Sequence, residues 1–289
     1  MTATGTWVRG SFHGHCSESS RCATVSLAAG IAGYASVGAD FVTLTDHDRL
    51  TDLDGMRQQY PALVFLEGFE HSSRENLVFA GERVPPLYEL SLEEALEQAG
   101  PDLLTLVCHP RPNTSGAEYW TLDKVAALGT WPDGIEVYNG HYGTAVALAR
   151  GRQPLGTDLW DEVLTAGYRL WGFANDDFHD PVDLGNAWNM VWVREVSPRA
   201  IVAAARAGRC YATTGLLLRN LTIADGEIRI EVGAPATGTF VGPGGQALSR
   251  STGTRFAYRG RGEPYIRFEA EGEAGRIFLQ PVFGTAAPV

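Results

Sequence analysis

The sequence predicts an α/β fold, a β/α barrel or a related parallel sheet, followed by a smaller antiparallel β segment. Three observations predict it. Short apolar runs alternate with helix-like segments over the first two thirds of the chain. Polar, titratable clusters recur where those apolar runs end. From about residue 216 the pattern changes to alternating apolar and polar residues between glycine-rich turns. Short strands that are apolar throughout belong to a sheet covered on both faces. Ligands of such sheets gather at the C-terminal strand ends, in closed barrels and in open doubly wound sheets alike.

Each element follows from local chemistry. Residues 26–37 place Leu27, Ile31 and Tyr34 on one helical face. FVTLTDHD is a β-rich run ending in polar residues, and LVFLEGFEH and NLVFAG follow a similar design. Ser91 and Glu94 form a capping box for a helix through Ala99, which Gly100 and Pro101 stop. LLTLVCHP is a strand, WTLDKVAAL a helix and GIEVYNG a strand. Residues 158–168 read as helix and LWGFANDDFHD as strand. Ser197 and Pro198 open a helix to about Ala207, closed by Gly208. LTIADGEIRIEVG and YIRFEAEGEAGRIFLQPVF read as antiparallel hairpins. The expected division is 1–215 and 216–289.

Composition narrows the function. The chain has 289 residues, 44% hydrophobic and 20% charged, an ordinary globular balance. Its formal charge of -11 argues against a nucleic-acid partner. No stretch reaches the length of a membrane span, and no export signal is read at the N-terminus. The expectation is a cytoplasmic protein with free thiols at Cys16, Cys22, Cys108 and Cys210, none in a Cys-x-x-Cys pair.

The chemistry resides in the histidines. All seven, His13, His15, His47, His71, His109, His141 and His179, lie in or near strand-end clusters. His13 and His15, two apart on a strand, point the same way and can share one ion. Asp46, His47 and Asp48 follow an apolar strand, where such residues are costly unless used; a strand-ending turn capped by Asp46 reads equally well. Glu70 is the expected bridging carboxylate, beside Glu67 and His71. His109 follows LLTLVC, and Asp177 and His179 again stand two apart. Taken singly, each cluster also reads as a turn or a buried histidine. Together they read as a metal centre of mixed nitrogen and oxygen ligands, suited to zinc, manganese or iron. No phosphate loop or nucleophile elbow is found.

SFHGHCSES, LTDHDRLTD, GFEHSS, CHP, GIEVYNG and NDDFH, in this order, resemble the motifs of the polymerase-and-histidinol-phosphatase (PHP) family over residues 9–215. GRCYATTG and the final hairpin further resemble the carbaryl-hydrolase-like branch. The resemblance implies a distorted seven-stranded β/α barrel with two or three divalent ions. It implies that His13 and His15 bind one ion with Glu70 and Asp177. Glu70 then bridges to a second ion with His109, while His47 and His179 hold a third ion or touch substrate. Two departures stand out. Glu18 must replace the third-site ligand that relatives carry after the His-x-His. Asn76 stands where relatives have a histidine, leaving His71 or His141 to complete the second site.

The expected reaction is hydrolysis of a small-molecule ester by activated water. His179 or His47 protonates the leaving group, and Asp46 completes the catalytic set. Arg21, Arg49, Arg111 and Asn139 are the expected substrate-binding residues. The rival readings are a carbamate or carboxylic ester hydrolase, with Phe12, Tyr138, Tyr142 and Phe178 near an aryl group, and a non-catalytic metal-binding module.

Overall fold

The computed structural model describes residues 5–115 and 119–284. In chain order the elements are β1 (Thr6–Ser11), α1 (Leu27–Ser36), β2 (Phe41–Thr43), α2 (Asp54–Gln59), β3 (Val64–His71), β4 (Leu77–Gly81), α3 (Leu92–Ala99), β5 (Leu103–Val107), α4 (Leu122–Ala126), β6 (Gly134–Asn139), α5 (Ala145–Ala149), α6 (Thr157–Thr165), β7 (Trp171–Asn175), β8 (Trp188–Val193), α7 (Pro198–Arg206), β9 (Cys210–Thr213), β10 (Leu218–Ala224), β11 (Glu227–Gly242), β12 (Gln246–Arg259), β13 (Tyr265–Gly272) and β14 (Gly275–Phe283).

The expected helices form where their caps place them. Ser26 accepts from the Ala29 amide to open α1, and Ile31 and Tyr34 are buried on its inner face. The capping box at Ser91 and Glu94 opens α3. Ser197 caps α7, with Pro198 in its first turn.

The sheet is mixed rather than parallel. β1, β2 and β3 pair in parallel, as do β5, β6 and β7. β4 lies between these groups and runs antiparallel to both neighbours. The reason is chain length: residues 72–76 are all that separates β3 from β4, too few for the crossover a parallel pair requires. β7 and β1 meet through one bridge beyond their strand ends, Gly14 with Phe178, where the His15 amide donates to the Phe178 carbonyl at 2.9 Å. A ring of seven parallel strands is therefore not what these residues form. The β1–β7 run instead curves until its outer strands touch at their C-terminal ends.

On the other side of β1 the sheet continues antiparallel through β8, β9, β14, β13 and β11, with β10 and β12 flanking β11. The two expected hairpins are there. Asp225 and Gly226, at φ of 53° and 74°, make the tight turn from β10 to β11. The C-terminal strands enclose their own apolar cluster, including Ile230, Phe240, Phe256 and Phe268. Helix α6 is tied to this sheet by a buried ion pair. The Arg267 guanidinium donates to both Asp161 oxygens, from Nε at 2.7 Å and from Nη2 at 2.6 Å.

Candidate metal centre

Where β1 and β7 meet, their ends and that of β3 bring four ligand-type side chains together. His13 and His15 leave β1, Asp177 leaves β7, and Glu70 comes from the last turn of the pleat in β3. All four are buried. His13 Nε2 lies 3.2 Å from His15 Nε2 and 3.2 Å from Asp177 Oδ1. His15 Nε2 lies 3.1 Å from Asp177 Oδ1. Glu70 Oε2 lies 3.5 Å from His13 Nε2 and 3.4 Å from His15 Nε2. A tetrahedral ion with bonds of about 2.0–2.2 Å has ligand-to-ligand edges of about 3.3–3.6 Å. The three edges among His13, His15 and Asp177 and the two from Glu70 to the histidines fall at or just under that length, and His13 and Glu70 also form a ligand-type group with His109.

Hydrogen-bond partners leave the inward nitrogens as lone pairs. His13 Nδ1 donates to Glu136 Oε1 at 2.8 Å. His15 Nδ1 faces Ser20 Oγ at 3.4 Å, and that hydroxyl itself donates to Asp46. With Nδ1 used as the donor, Nε2 is the ligand atom in each ring. Glu70 Oε2 is buried without a hydrogen-bond partner. Such an orphaned carboxylate oxygen facing two lone pairs is costly unless a cation sits between them. Around His13 and Asp177 the charges favour a cation, whereas burial pushes the His15 pKa down to about 4 and keeps that ring neutral. Burial opposes charge on His13, yet Asp177, Glu136 and Glu70 outweigh it and hold its pKa well above the usual histidine value. Burial also opposes ionisation of Asp177, but the surrounding histidines, His13 first, hold it well below the usual carboxylate range. The cage therefore demands positive charge, and its residues fit a divalent ion.

Backbone strain marks the same place. Asp48, His109 and Asp177 have φ of 47°, 26° and 49°, a region L-residues rarely adopt. Asp177 belongs to the cage, and Asp48 and His109 border it through bonds to Glu70; such strain persists where the surroundings over-determine it.

The remaining expected residues divide sharply. His109 Nε2 lies 3.0 Å from Glu70 Oε1. His47 and His179 lie at the rim beside His15, with ring centroids 4.8 and 4.4 Å from it. Glu18 is not a third-site ligand: its carboxylate accepts from the Leu27 amide at 2.9 Å and so caps the start of α1. Asp46 is a scaffold rather than part of the catalytic set. Its oxygens accept from the Cys16 amide at 3.0 Å, from Ser20 Oγ at 2.6 Å and from Thr51 Oγ1. Asn139 is spent inside the protein, donating to Asp177 Oδ2 at 3.0 Å and Glu136 Oε2 at 3.2 Å. Arg111 is pinned to Asp158 and Glu162 of α6 and to the Trp120 carbonyl, which removes it from substrate binding. Arg21 and Arg49 stay exposed, with no ion pair among the described residues.

Asn76 shapes the side of Glu70 on which the second site was expected. Its Oδ1 accepts from the Tyr119 hydroxyl and its Nδ2 donates to Glu70 Oε1, each at 2.7 Å. The ligating oxygen faces away and an N–H group faces Glu70. Neither proposed substitute fills the gap. His71 Nε2 bonds the Leu90 carbonyl, and His141 Nδ1 donates to Asp183 on the far side of the rim. Of the aromatic candidates, Phe12, Phe178 and Tyr138 pack against Phe41, Tyr34 and Phe278, and Tyr142 alone stands near a ligand, 5.6 Å from His109.

Glu136 escaped the sequence reading. Its carboxylate orients His13, accepts from the His109 amide at 2.7 Å and from Asn175 at 2.9 Å. The available signal was a glutamate inside the apolar strand GIEVYN, which nothing but a buried donor network explains. Glu136→Gln is expected to leave the fold intact and weaken divalent-ion affinity about 10- to 100-fold, as loss of a ligand's orienting partner does. Competition titration against a zinc indicator measures it, and unchanged affinity would remove Glu136 from the centre.

No protein-family model matches this chain, and no curated protein matches it. Solved structures do. A two-domain protein from Bacteroides vulgatus containing a predicted PHP-like metal-dependent phosphoesterase superposes with a TM-score of 0.56 at 16% identity, over 96% of each chain. A lesion-specific endonuclease from Pyrococcus furiosus gives 0.44 at 17% identity, over 70% of this chain and 56% of that one. The protein PsfC from Pseudomonas syringae gives 0.42 at 16%, over 71% and 89%. This chain is similar in fold to the Bacteroides vulgatus protein over 96% of its length.

Proposed function

We propose that this chain is a metal-dependent hydrolase of the PHP type that cleaves a small-molecule phosphoester. The observation that carries the reading is the His13–His15–Glu70–Asp177 cage, whose edges and lone pairs suit one divalent ion. The likeness in fold to a protein with a PHP-like phosphoesterase is consistent with it. Bound divalent ions supply Lewis acidity and activation of water. The chain's own residues do the rest. Glu136 and Asn139 hold His13 and Asp177 in register. His141, with its own carboxylate partner at 2.9 Å and a ring 4.7 Å from His179, is placed to hand a proton to the leaving group. Burial works against charge on His141, but Asp183 and Asp177 outweigh it and raise its pKa, which favours the protonated ring. Arg21 and Arg49 remain available to an anionic substrate.

The charge of -11 favours a small molecule over a nucleic acid. No helix among the described residues is long and apolar enough to cross a membrane. The division at 215/216 is retained as a proposal: most of the C-terminal apolar residues gather in one cluster, although Tyr211 joins it and Tyr265 and Phe278 pack into the main core. The finer resemblance to the carbaryl-hydrolase-like branch rests on sequence motifs and keeps carbamate and carboxylic esters as rival substrates.

The test is turnover of aryl phosphomonoesters, aryl phosphodiesters and aryl carbamates by zinc-, manganese- and iron-loaded protein. Phosphoester hydrolysis that stops on chelation and returns with metal is expected. Faster carbamate turnover would move the substrate to the rival branch. Tight metal binding with no turnover of any ester would favour a binding module.

A further inference from the structure

Glu70 sets the problem. Its Oε1 is occupied by Asn76 and His109, so the side on which a second ion was expected is closed by an amide N–H group. Its orphaned Oε2 faces the other way. It serves the inner cage and lies 3.0 Å from His47 Nδ1. On that side stand His47 and His179, and a third donor joins them. The Cys22 thiol gathers with His15, His47 and His179, with one ligand atom from each lying within 4.8 Å of the others. The loop after His15 brings it there. Glu18 turns back to cap α1, Ser20 turns inward to Asp46, and Cys22 is left exposed at the rim.

The imidazoles are prepared for a ligand role. Ser72 Oγ donates to the Glu70 carbonyl at 3.1 Å, so it accepts from His47 Nδ1 at 2.7 Å. His179 Nδ1 donates to the Asp177 carbonyl at 2.6 Å. Each ring is left with Nε2 as its lone pair.

We propose that Cys22 supplies a thiolate ligand to an outer metal ion held with His47 and His179, and that this site, not the Asn76 side of Glu70, holds the second ion of the centre. The inference rests on the metal-centre reading above and sharpens it. A thiolate and two imidazoles form a soft donor set, which selects zinc, cobalt or ferrous iron over manganese or magnesium. Binding sends the thiol proton to solvent, because the thiolate is the ligand. The inner cage, two imidazoles and two carboxylates, lacks that preference.

The experiment uses the full chain, stripped with chelator and reloaded with Co(II). Two cobalt ions per chain are expected, together with a near-ultraviolet thiolate-to-cobalt charge-transfer band. Cys22→Ser should lose the band and bind the second cobalt at least about tenfold more weakly, with the first unchanged. Cys22→Asp should restore the second ion without the band. A readout that needs no variant is alkylation. Cys16, Cys108 and Cys210 are buried, so iodoacetamide should modify one thiol per metal-free chain and none after cobalt is added. Bound cobalt with no charge-transfer band, or a band that survives in Cys22→Ser, overturns the proposal and leaves the inner centre standing. Failure of the chain to bind any cobalt overturns the metal-centre reading itself.

Discussion

Replacing both His13 and His15 with alanine is expected to abolish binding of the inner ion and to lower ester turnover by at least about 10³-fold, equivalent to roughly 4 kcal/mol of transition-state stabilisation. The two rings supply half of the cage, and the imidazoles that remain around it are held by other partners: His109 bonds Glu70, His47 bonds Ser72 and His179 bonds the Asp177 carbonyl. The variant also leaves Glu70 and Asp177 as buried carboxylates without the histidines that hold their pKa values down. A drop in thermal stability should therefore accompany the loss of metal. Chelation of the unaltered protein separates the two effects, since it removes the ion and keeps the rings. Metal analysis of both samples checks the prediction. A double variant that retains its full metal content would show that the cage is not the binding site.

The second large effect concerns the link between α6 and the C-terminal strands. Arg267 and Asp161 are both buried, 3% and 6% exposed, and form a two-point ion pair. Removing one partner leaves the other charge stranded in a low-dielectric setting. Asp161→Ala should cost about 3–5 kcal/mol. Glu269, at 2.5 Å from Arg267 Nη1, retains part of the compensation and places the value toward the lower end. The Tyr265 hydroxyl loses one acceptor, at 3.2 Å, while keeping the Gly242 carbonyl at 2.9 Å. The double variant Asp161→Leu, Arg267→Met removes both charges and should recover most of the loss. Urea unfolding of the three proteins measures it. Equal stability of Asp161→Ala and the unaltered chain would show that the pair contributes nothing.

A cavity of about 780 Å³ lies beside this ion pair, between α6 and the C-terminal strands. It is lined by Thr157, Arg250 and Glu271 among others and by none of the cage residues. Volume and chemistry thus point to different places. The metal cage is the better site candidate because it has convergent lone pairs and an orphaned oxygen, whereas the charged groups lining the cavity largely satisfy one another, as Arg267 does with Asp161 and Arg276 with Glu271.

Much of the architecture was legible in the chain because its determinants are local. Apolar runs and the helix starts at Ser91 and Ser197 act over a few residues, and each appears where the pattern placed it. The i, i+2 spacing of His13 and His15 survives folding for the same reason. Strand direction was less accessible. NLVFAG reads like its parallel neighbours, and only the short 72–76 connection, set against the pairing partners, makes it antiparallel.

What the sequence by itself determined is which residue types stand at the strand ends, and hence that nitrogen and oxygen donors gather there. What only the tertiary structure decided is which atom of each side chain remains free. His13 meets Glu136 across 123 residues of chain and Phe12 meets Asn175 across 163. Asn76 is turned by Tyr119, Asp46 is saturated by Cys16, Ser20 and Thr51, and Glu18 is drawn off to α1. A ligand is a lone pair without a competing donor. That competition is settled by distant neighbours meeting in a buried space, where each polar atom must find a partner, and no local pattern records the outcome.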